Sequence, residues 1–299
     1  MQGYNIWIID RKDESMNSKE RKIIVVVGAT GRQGREVVRH LVRNGWQVKG
    51  VTRKPESKKA MAIQALGAEM VPADLDKIIT LESAFQGAYG VYTMQPSIPG
   101  KPENQIQQGK NVALAAQKMK VQHVVYGSAG PEKIKTGIEQ WDTKLEVTQA
   151  MMSLGLPLTT LRPLAFMELM TDPSYYPNAI WYIWPKITGG DRKIPWISIQ
   201  DVGAIAAKAF ANPAEFMGKD FVLSADAQSL DECRAIYKEV RGKYPSRFPM
   251  PMFLFEKFVG KDIPRMWSWL RTHPVNLDTS QTRQIHQEVM TVRTWLRSL

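Results

Sequence analysis

Three regularly spaced glycines carry the clearest chemical signal in the sequence. Gly28, Gly31 and Gly34 stand three residues apart, directly after the branched apolar run "IIVVV". Where a strand leads into a helix, glycines permit a tight turn, close approach of the backbone to a ligand, and close packing of helix on strand. The free N–H groups of the first helical turn then point at an anion. The pattern predicts a binding site for the diphosphate of a dinucleotide.

The residues after the second predicted strand indicate which dinucleotide binds. Sites for NAD usually place a carboxylate there to accept hydrogen bonds from the ribose. This chain has Arg53 and Lys54, with no carboxylate before Glu56. A guanidinium can hold a 2′-phosphate through charge-assisted hydrogen bonds, and Arg32 in the glycine loop is a second candidate for that phosphate. We therefore predict NADP(H), the alternative being that these are exposed basic residues of a loop.

The elements that must position these residues alternate regularly. Strand-like and helix-like segments follow one another from Ile23 to Pro163, which is typical of βαβ units and a doubly wound parallel sheet, the Rossmann form of an α/β fold. The predicted strands cover 23–27, 48–52, 69–74, 90–94, 123–127 and 157–163. The predicted helices cover residues up to 44, 58–66, 79–85, 103–119 and 140–154.

The pattern weakens after Pro163, and residues 164–195, rich in Pro, Tyr and Trp, are expected to be irregular. Regularity returns with a helix in 197–212, a strand at 219–224 and a helix over 230–240, before a C-terminal part that looks helical and separate. We therefore predict a disordered leader (1–22), an NADP-binding Rossmann domain (23–163) and a smaller, mainly helical lobe (164–299). Within that lobe, segments at about 197–224 are expected to return to the Rossmann domain.

Composition narrows the classes of function. The chain has 299 residues, of which 43% are hydrophobic, as in ordinary globular proteins. No apolar run approaches the roughly 20 residues of a membrane span. A single cysteine, Cys233, indicates a reducing compartment, and we expect a cytoplasmic protein. The four histidines have no ligand-like spacing, so no metal site is expected.

The net charge of +11 is concentrated around the glycine-rich stretch. It is explained either by a solvated basic surface or by attraction for a polyanionic ligand. Because no recognition helix, zinc finger or basic stripe with interleaved aromatics is recognisable, we favour the nucleotide cofactor and expect no direct binding of nucleic acid.

Several stretches together identify a family resemblance. The sequence resembles the NmrA-like family of atypical short-chain dehydrogenase/reductases, in order, from about Ile23 to Asp231. Related members of this family include isoflavone-reductase-like enzymes, quinone reductases and NADPH-sensing regulators that have lost catalysis. The matching stretches are "VVVGATGRQGREVVRHLVRNGWQVKGVTRKP", "GAEMVPADL", "GVYTMQP", "HVVYGSAG", "WDTKLEV" and "GLPLTTLRP".

The resemblance implies roles for the matching positions. The diphosphate is expected at the glycine loop, the 2′-phosphate at Arg53, the adenine beside two residues after the third strand, and the nicotinamide beyond the fourth and fifth strands. Lys144 is expected to reach the nicotinamide ribose, and Phe166 to lie near the nicotinamide ring. The full predicted cofactor set is Gly28, Thr30, Gly31, Arg32, Gln33, Gly34, Arg53, Lys54, Asp74, Leu75, Met94, Gln95, Pro96, Ser128, Lys144 and Phe166.

Whether the chain catalyses a reaction depends on one helix. Short-chain dehydrogenases use a Tyr-x-x-x-Lys pair, one turn apart on a helix, for proton transfer. Lys144 occupies the lysine position, but Gln140 replaces the tyrosine. Lys144 either relays a proton or only binds the cofactor. A second match, Tyr182 and Lys186, is treated as chance, because Pro185 between them should disrupt a helix.

Two functions therefore stay open. The first is an NADPH-dependent reductase of a quinone-like or aromatic carbonyl substrate, with Lys144 as the catalytic residue. An insert that includes Tyr175, Tyr176 and Trp181 favours it as a substrate lid, although the same aromatics could form the core of the lobe. The second is a non-catalytic NADPH/NADP sensor that regulates a protein partner, favoured by the missing tyrosine. A homodimer is possible in either case.

Overall fold

The structure is a computed structural model that describes residues 22–96, 100–131, 134–175 and 177–299. The strands are β1 (Ile23–Val27), β2 (Gln47–Thr52), β3 (Glu69–Pro72), β4 (Ala88–Thr93), β5 (His123–Gly127), β6 (Leu158–Pro163), β7 (Ala165–Phe166), β8 (Lys193–Ile197), β9 (Asp220–Leu223) and β10 (Asp226–Ser229). The helices are α1 (Arg32–Arg43), α2 (Lys58–Gln64), α3 (Ile78–Phe85), α4 (Pro102–Lys118), α5 (Glu139–Ser153), α6 (Pro177–Thr188), α7 (Ile199–Ala211), α8 (Pro213–Phe216), α9 (Leu230–Arg241), α10 (Met252–Val259), α11 (Asp262–Thr272), α12 (Ser280–Ile285) and α13 (Val292–Ser298). Two short 3₁₀ turns cover Met167–Met170 and Pro173–Tyr175.

The main sheet has seven strands in the order β3-β2-β1-β4-β5-β6-β9. Every neighbouring pair in it is parallel. The strand order reverses between β1 and β4, and ligands of open α/β sheets bind at such a switch point, outside the carboxyl ends of the strands. The predicted doubly wound α/β fold is confirmed.

Strand β1 explains why its sequence is apolar at every position. Ile24 and Val26 face one side of the sheet, where α1 and α7 pack. Val25 and Val27 face the other side, where α4 and α5 pack. A strand covered on both faces buries each side chain, so the run does not alternate with polar residues.

The residues of the predicted lobe, 164–299, include a second, three-stranded sheet with the order β10-β8-β7. The helices from α6 onwards belong to the same part of the chain. Strand β9 does not belong to that sheet but lies parallel to β6 at the edge of the main one. Phe255 and Trp267 of the lobe belong to the same buried cluster as Ile24 and Val26 of the main sheet. The division into domains stays a prediction. The predicted leader, residues 1–22, lies outside the described residues except for Lys22. Within the described ranges, no helix is long and apolar enough to cross a membrane.

The prediction that residues 164–195 are irregular was wrong, because α6 is a helix of 12 residues with Pro185 inside it. Its apolar side packs into the lobe, and Trp181 and Trp184 are 1% exposed. Proline removes one backbone hydrogen bond from a helix, and burial of these two indoles offsets that loss. Of the two explanations for this aromatic insert, the structure favours the lobe core for Trp181, Trp184 and Trp196. Tyr176 lies outside the described residues.

Candidate functional site

Two positions of the glycine loop favour glycine, one through its backbone conformation and one through close packing. Gly28 has φ +76°, which is a conformation that favours glycine, and its carbonyl accepts a hydrogen bond from the Gly31 N–H at 2.9 Å. A Cβ on Gly34 would overlap the Gly28 carbonyl oxygen and lie 2.6 Å from its carbonyl carbon. Helix α1 therefore begins directly against the end of β1.

The first turn of α1 offers hydrogen-bond donors to an anion. Gly31 is its N-cap, no described side chain caps the helix, and the first turn contains no acidic residue. The N–H groups at the start of a helix have no partner within the helix and carry partial positive charge. With the close packing of Gly34, this arrangement fits the diphosphate of a dinucleotide.

The carboxyl ends of β1, β4 and β5 meet beside this loop. A Cβ on Gly28 would lie 3.6 Å from the Met94 carbonyl oxygen. The Tyr92 hydroxyl donates to Gln33 Oε1 at 3.1 Å. Ser128, which directly follows β5, is buried and donates its N–H to the Leu161 carbonyl at 2.9 Å. Four residues of the predicted set, Gly28, Gln33, Met94 and Ser128, thus lie around the switch point.

The ends of β2 and β3 form the neighbouring edge. The Ala73 N–H donates to the Thr52 carbonyl at 3.0 Å, which joins the two strand ends. Arg53 and Lys54 follow directly and are exposed, and no ion pair involving either is found within the described ranges. Asp74 and Leu75 follow Ala73, and the Leu75 carbonyl accepts from Asn111 Nδ2 at 2.8 Å.

The Arg32 side chain contacts residues 172–175, which follow β7 in the chain. Its Nε donates to Asp172 Oδ2 at 2.8 Å, its Nη2 donates to Ser174 Oγ, and the guanidinium lies 4.2 Å from the centre of the Tyr175 ring. These contacts engage the side chain, so a 2′-phosphate would have to compete with a carboxylate for it. The predicted role of Arg32 at that phosphate stays a prediction.

The side chain of Lys144, on α5, is buried against the segment that follows β4. It is 7% exposed, and its Nζ donates to the Gln95 backbone carbonyl at 3.1 Å. Burial lowers the pKa of Lys144 from 10.5 to about 8, because desolvation penalises the charged form. The buried Gln95 Oε1 has no hydrogen-bond partner within the described residues. A buried proton donor and an unsatisfied acceptor thus lie next to each other, which is typical of a ligand site.

An apolar cavity of about 220 Å³ begins one helical turn from Lys144. Gln140, the residue in the position of the missing tyrosine, lies in its wall. The rest of the wall is mainly apolar and aromatic and comes from the lobe, including Tyr175, Trp184, Phe255, Val259 and Trp267. The Trp184 and Trp267 rings stack with centroids 4.9 Å apart.

Tyr182 and Lys186, the second Tyr-x-x-x-Lys match, share helix α6 although Pro185 separates them. The Lys186 ammonium lies 3.7 Å from the centre of the Tyr182 ring. This contact is a cation–π pair over the ring face.

The remaining predicted positions lie near these groups in the chain. Thr30 is in the glycine loop, Pro96 is exposed after Gln95, and Phe166 ends β7 with Ile197 as its register partner. The cofactor contacts of these residues stay predictions.

Two acidic residues next to the site escaped the sequence analysis. Glu168 Oε1 accepts from the Ile199 N–H at 3.0 Å, and burial raises the pKa of Glu168 to about 7. The two carboxylate oxygens of Asp262 accept from the N–H groups of Glu139 and Gln140, each at 3.0 Å. A single acid in the apolar stretch "PLAFMELM" was a signal for Glu168. Nothing local to Asp262 indicated a partner more than 120 residues away.

Comparison with known proteins gives matches over most of the chain. A family model described as the NmrA-like family matches residues 20–296. A curated relative from Cladobotryum sp, the NmrA-like family domain-containing oxidoreductase FrzB, is 30% identical over 249 residues, which is 74% of each chain.

Two solved structures share the fold. NmrA, a negative transcriptional regulator solved in complex with NADP, aligns with a TM-score of 0.75 at 18% identity, covering 94% of this chain and 95% of its own. The NADPH-dependent quinone oxidoreductase QOR2 from Escherichia coli, solved with NADPH, aligns with a TM-score of 0.70 at 22% identity, covering 92% and 99%.

Proposed function

Because the chain belongs to the NmrA-like family, we propose that it binds NADP(H) and reduces a quinone-like or aromatic carbonyl substrate by hydride transfer. The observation that carries the proposal is the position of Gln140. It lines the apolar cavity, and Lys144, four residues later on α5, donates to the segment after β4. The proposed cofactor path and the proposed substrate cavity are therefore adjacent on one helix.

The residues present fit the cofactor at each of its charged groups. The first turn of α1 is proposed to hold the diphosphate, Arg53 and Lys54 the 2′-phosphate, and Asp74 and Leu75 the adenine side. Met94, Gln95, Pro96, Ser128 and Phe166 are proposed to lie along the nicotinamide half. The FrzB name and the NADPH-bound quinone oxidoreductase support this assignment by similarity.

The cofactor supplies a hydride when it is bound, and the chain supplies the proton. Reduction of a quinone to a hydroquinone consumes one hydride and one proton. Lys144 holds a proton at Nζ and is proposed to deliver it, directly or through a relay, to the developing oxyanion. The mainly apolar wall of the cavity is proposed to keep water away from a flat carbonyl substrate.

The second candidate function is an NADPH/NADP sensor that regulates a protein partner. Gln140 in place of the tyrosine favours it, because a neutral amide does not replace a phenol in proton transfer. The NADP complex of NmrA, a negative transcriptional regulator, supports it by similarity. A homodimer and a cytoplasmic location are proposed for either function.

The test follows NADPH absorbance with the purified protein and a panel of quinones and aromatic carbonyls. Turnover with at least one compound supports the reductase. If no compound is reduced although calorimetry shows NADPH binding, the reductase proposal fails. A protein partner that is then gained or lost on NADPH addition supports the sensor.

A further inference from the structure

Helix α10 presents apolar side chains on two sides. Phe255 and Val259, four residues apart, line the apolar cavity beside Gln140. On the outside, Phe253 exposes 69% of its surface, Met252 38% and Leu254 37%. Phe253 therefore protrudes from the surface that the described residues form.

The exposed apolar side chains continue beyond α10 into the segment that leads to it. We call the whole set the α10 surface. It consists of Phe248, Met252, Phe253 and Leu254. Contiguous exposed apolar side chains of this kind mark an interaction site, whereas single ones do not.

Basic residues outnumber acidic ones in the part of the chain that contains α10. Residues 241–271 contain seven Lys or Arg and only two acidic residues, Glu256 and Asp262. Asp262 already accepts from the N–H groups that begin α5. Lys243, Arg247 and Lys257 are exposed, and no ion pair of theirs is found in the described part of the chain.

We propose that the α10 surface binds the interface of an anionic lipid bilayer. Exposed phenylalanine and leucine, with lysine and arginine close to them in the chain, are the chemistry of segments that lie in a membrane interface. The basic residues bind the anionic headgroups, and the apolar side chains enter the acyl boundary. A second copy of this chain fits less well, because a two-fold interface would place the same seven basic residues against each other.

The position of α10 between this surface and the cavity also specifies the substrate class. The substrate of the proposed reaction would then be a lipid-soluble quinone, because α10 carries both the proposed membrane surface and two residues of the cavity wall. This part of the inference rests on the proposed function, whereas lipid binding does not.

Co-sedimentation with vesicles tests lipid binding directly. The probes are vesicles of phosphatidylcholine and phosphatidylserine in equal parts, compared with pure phosphatidylcholine. We expect the protein to sediment with the mixed vesicles and about tenfold less with the neutral ones, and salt should weaken the binding. Phe253→Glu should reduce binding to the mixed vesicles by at least about tenfold, since it places a carboxylate in the acyl boundary.

Ile79→Glu is the matched control, because Ile79 on α3 is 68% exposed and lies outside the α10 surface. It should bind vesicles like the wild type. Equal binding by the Phe253 and Ile79 variants would overturn the proposal. So would absence of wild-type binding, or a soluble dimer or an acidic protein complex that only Phe253→Glu dissociates.

Activity separates this inference from the proposed function. With a water-soluble short-chain quinone, Phe253→Glu should react at the wild-type rate, because Phe253 does not line the cavity. With a long-chain quinone dissolved in the mixed vesicles, its rate should fall about as far as its lipid binding does. If neither quinone is reduced by the wild type, the proposed function fails while the vesicle result still decides on the surface.

Discussion

At the scale of single residues, the exposed cations after β2 are proposed to decide which cofactor the site prefers. Arg53→Asp should weaken NADPH binding by about 1.5–3 kcal/mol, roughly ten- to a hundredfold in Kd, since it removes charge-assisted bonds to the 2′-phosphate. NADH lacks that phosphate, so its affinity should change little. Calorimetry with both cofactors measures the difference.

Lys120→Asp is the control, because Lys120 is also exposed but precedes the amino end of β5, whereas Arg53 follows the carboxyl end of β2. It should leave both affinities unchanged. Equal losses for NADPH and NADH in the Arg53 variant would contradict the assignment of this arginine to the 2′-phosphate.

Lys144 should set the upper pH limit of the reaction. Its lowered pKa of about 8 means that the ammonium is mostly protonated at neutral pH and loses its proton as the pH rises past that value. If the proton is donated in the reaction, kcat/KM should fall above a pH of about 8. Lys144→Ala should lower kcat by about 10²- to 10⁴-fold, as measured by NADPH oxidation.

Lys144→Arg distinguishes proton donation from cofactor binding, since a guanidinium keeps its charge but does not release a proton at these pH values. It should retain NADPH affinity and remain slow. If the NADPH affinity of both variants falls by the same factor as their rate, Lys144 only binds the cofactor.

At the scale of elements, Glu168 links the 3₁₀ turn after β7 to the start of α7, and it makes stability depend on pH. Burial raises its pKa to about 7, with smaller contributions from Asp201 and Glu36. Between a pH of about 4.5 and about 7, the unfolded chain releases this proton and the folded protein keeps it. The free energy of unfolding should therefore decrease with rising pH over that range, by about 3 kcal/mol in total.

Glu168→Gln should remove this pH dependence, because the amide still accepts from the Ile199 N–H and carries no charge. Denaturant unfolding at several pH values measures it. Glu146→Gln, which changes an exposed carboxylate on α5, should follow the wild-type profile. A Glu168 variant that keeps the wild-type slope would show that another group causes it.

The elements differ in how far their own sequences determine them. Strands β1 and β5 have the predicted bounds, and most other Rossmann elements differ by one or two residues, because their apolar periodicity and their terminal glycines are local signals. Helix α6 was missed because Pro185 is locally unfavourable, and the helix forms through burial of Trp181 and Trp184 against the lobe. The glycine loop was predictable for the same local reason, whereas the contacts of Arg32 with Asp172 and of Asp262 with α5 join distant segments that no short pattern relates.

At the scale of the whole molecule, Asp262 connects the lobe to the helix that carries Gln140 and Lys144. The N-cap of α5 is Ile138, which has no capping side chain, so Asp262 on α11 satisfies the first N–H groups from a distant part of the chain. Asp262→Ala should cost about 1–2 kcal/mol of stability. It should also lower turnover, because the cavity wall formed by Gln140 and the lobe is no longer fixed relative to Lys144.

Ser229→Ala separates the loss of a cap from the loss of this connection. Ser229 caps α9 within the lobe by a capping box with Glu232, so its removal should cost about as much stability as other N-cap losses. It should leave kcat unchanged, whereas Asp262→Ala should lower kcat with little effect on the Kd of NADPH, because the proposed diphosphate-binding loop lies at α1. Unfolding curves and steady-state rates of the two variants provide the comparison. Equal rates at equal loss of stability would show that Asp262 is only a helix cap and that the lobe needs no fixed position for catalysis.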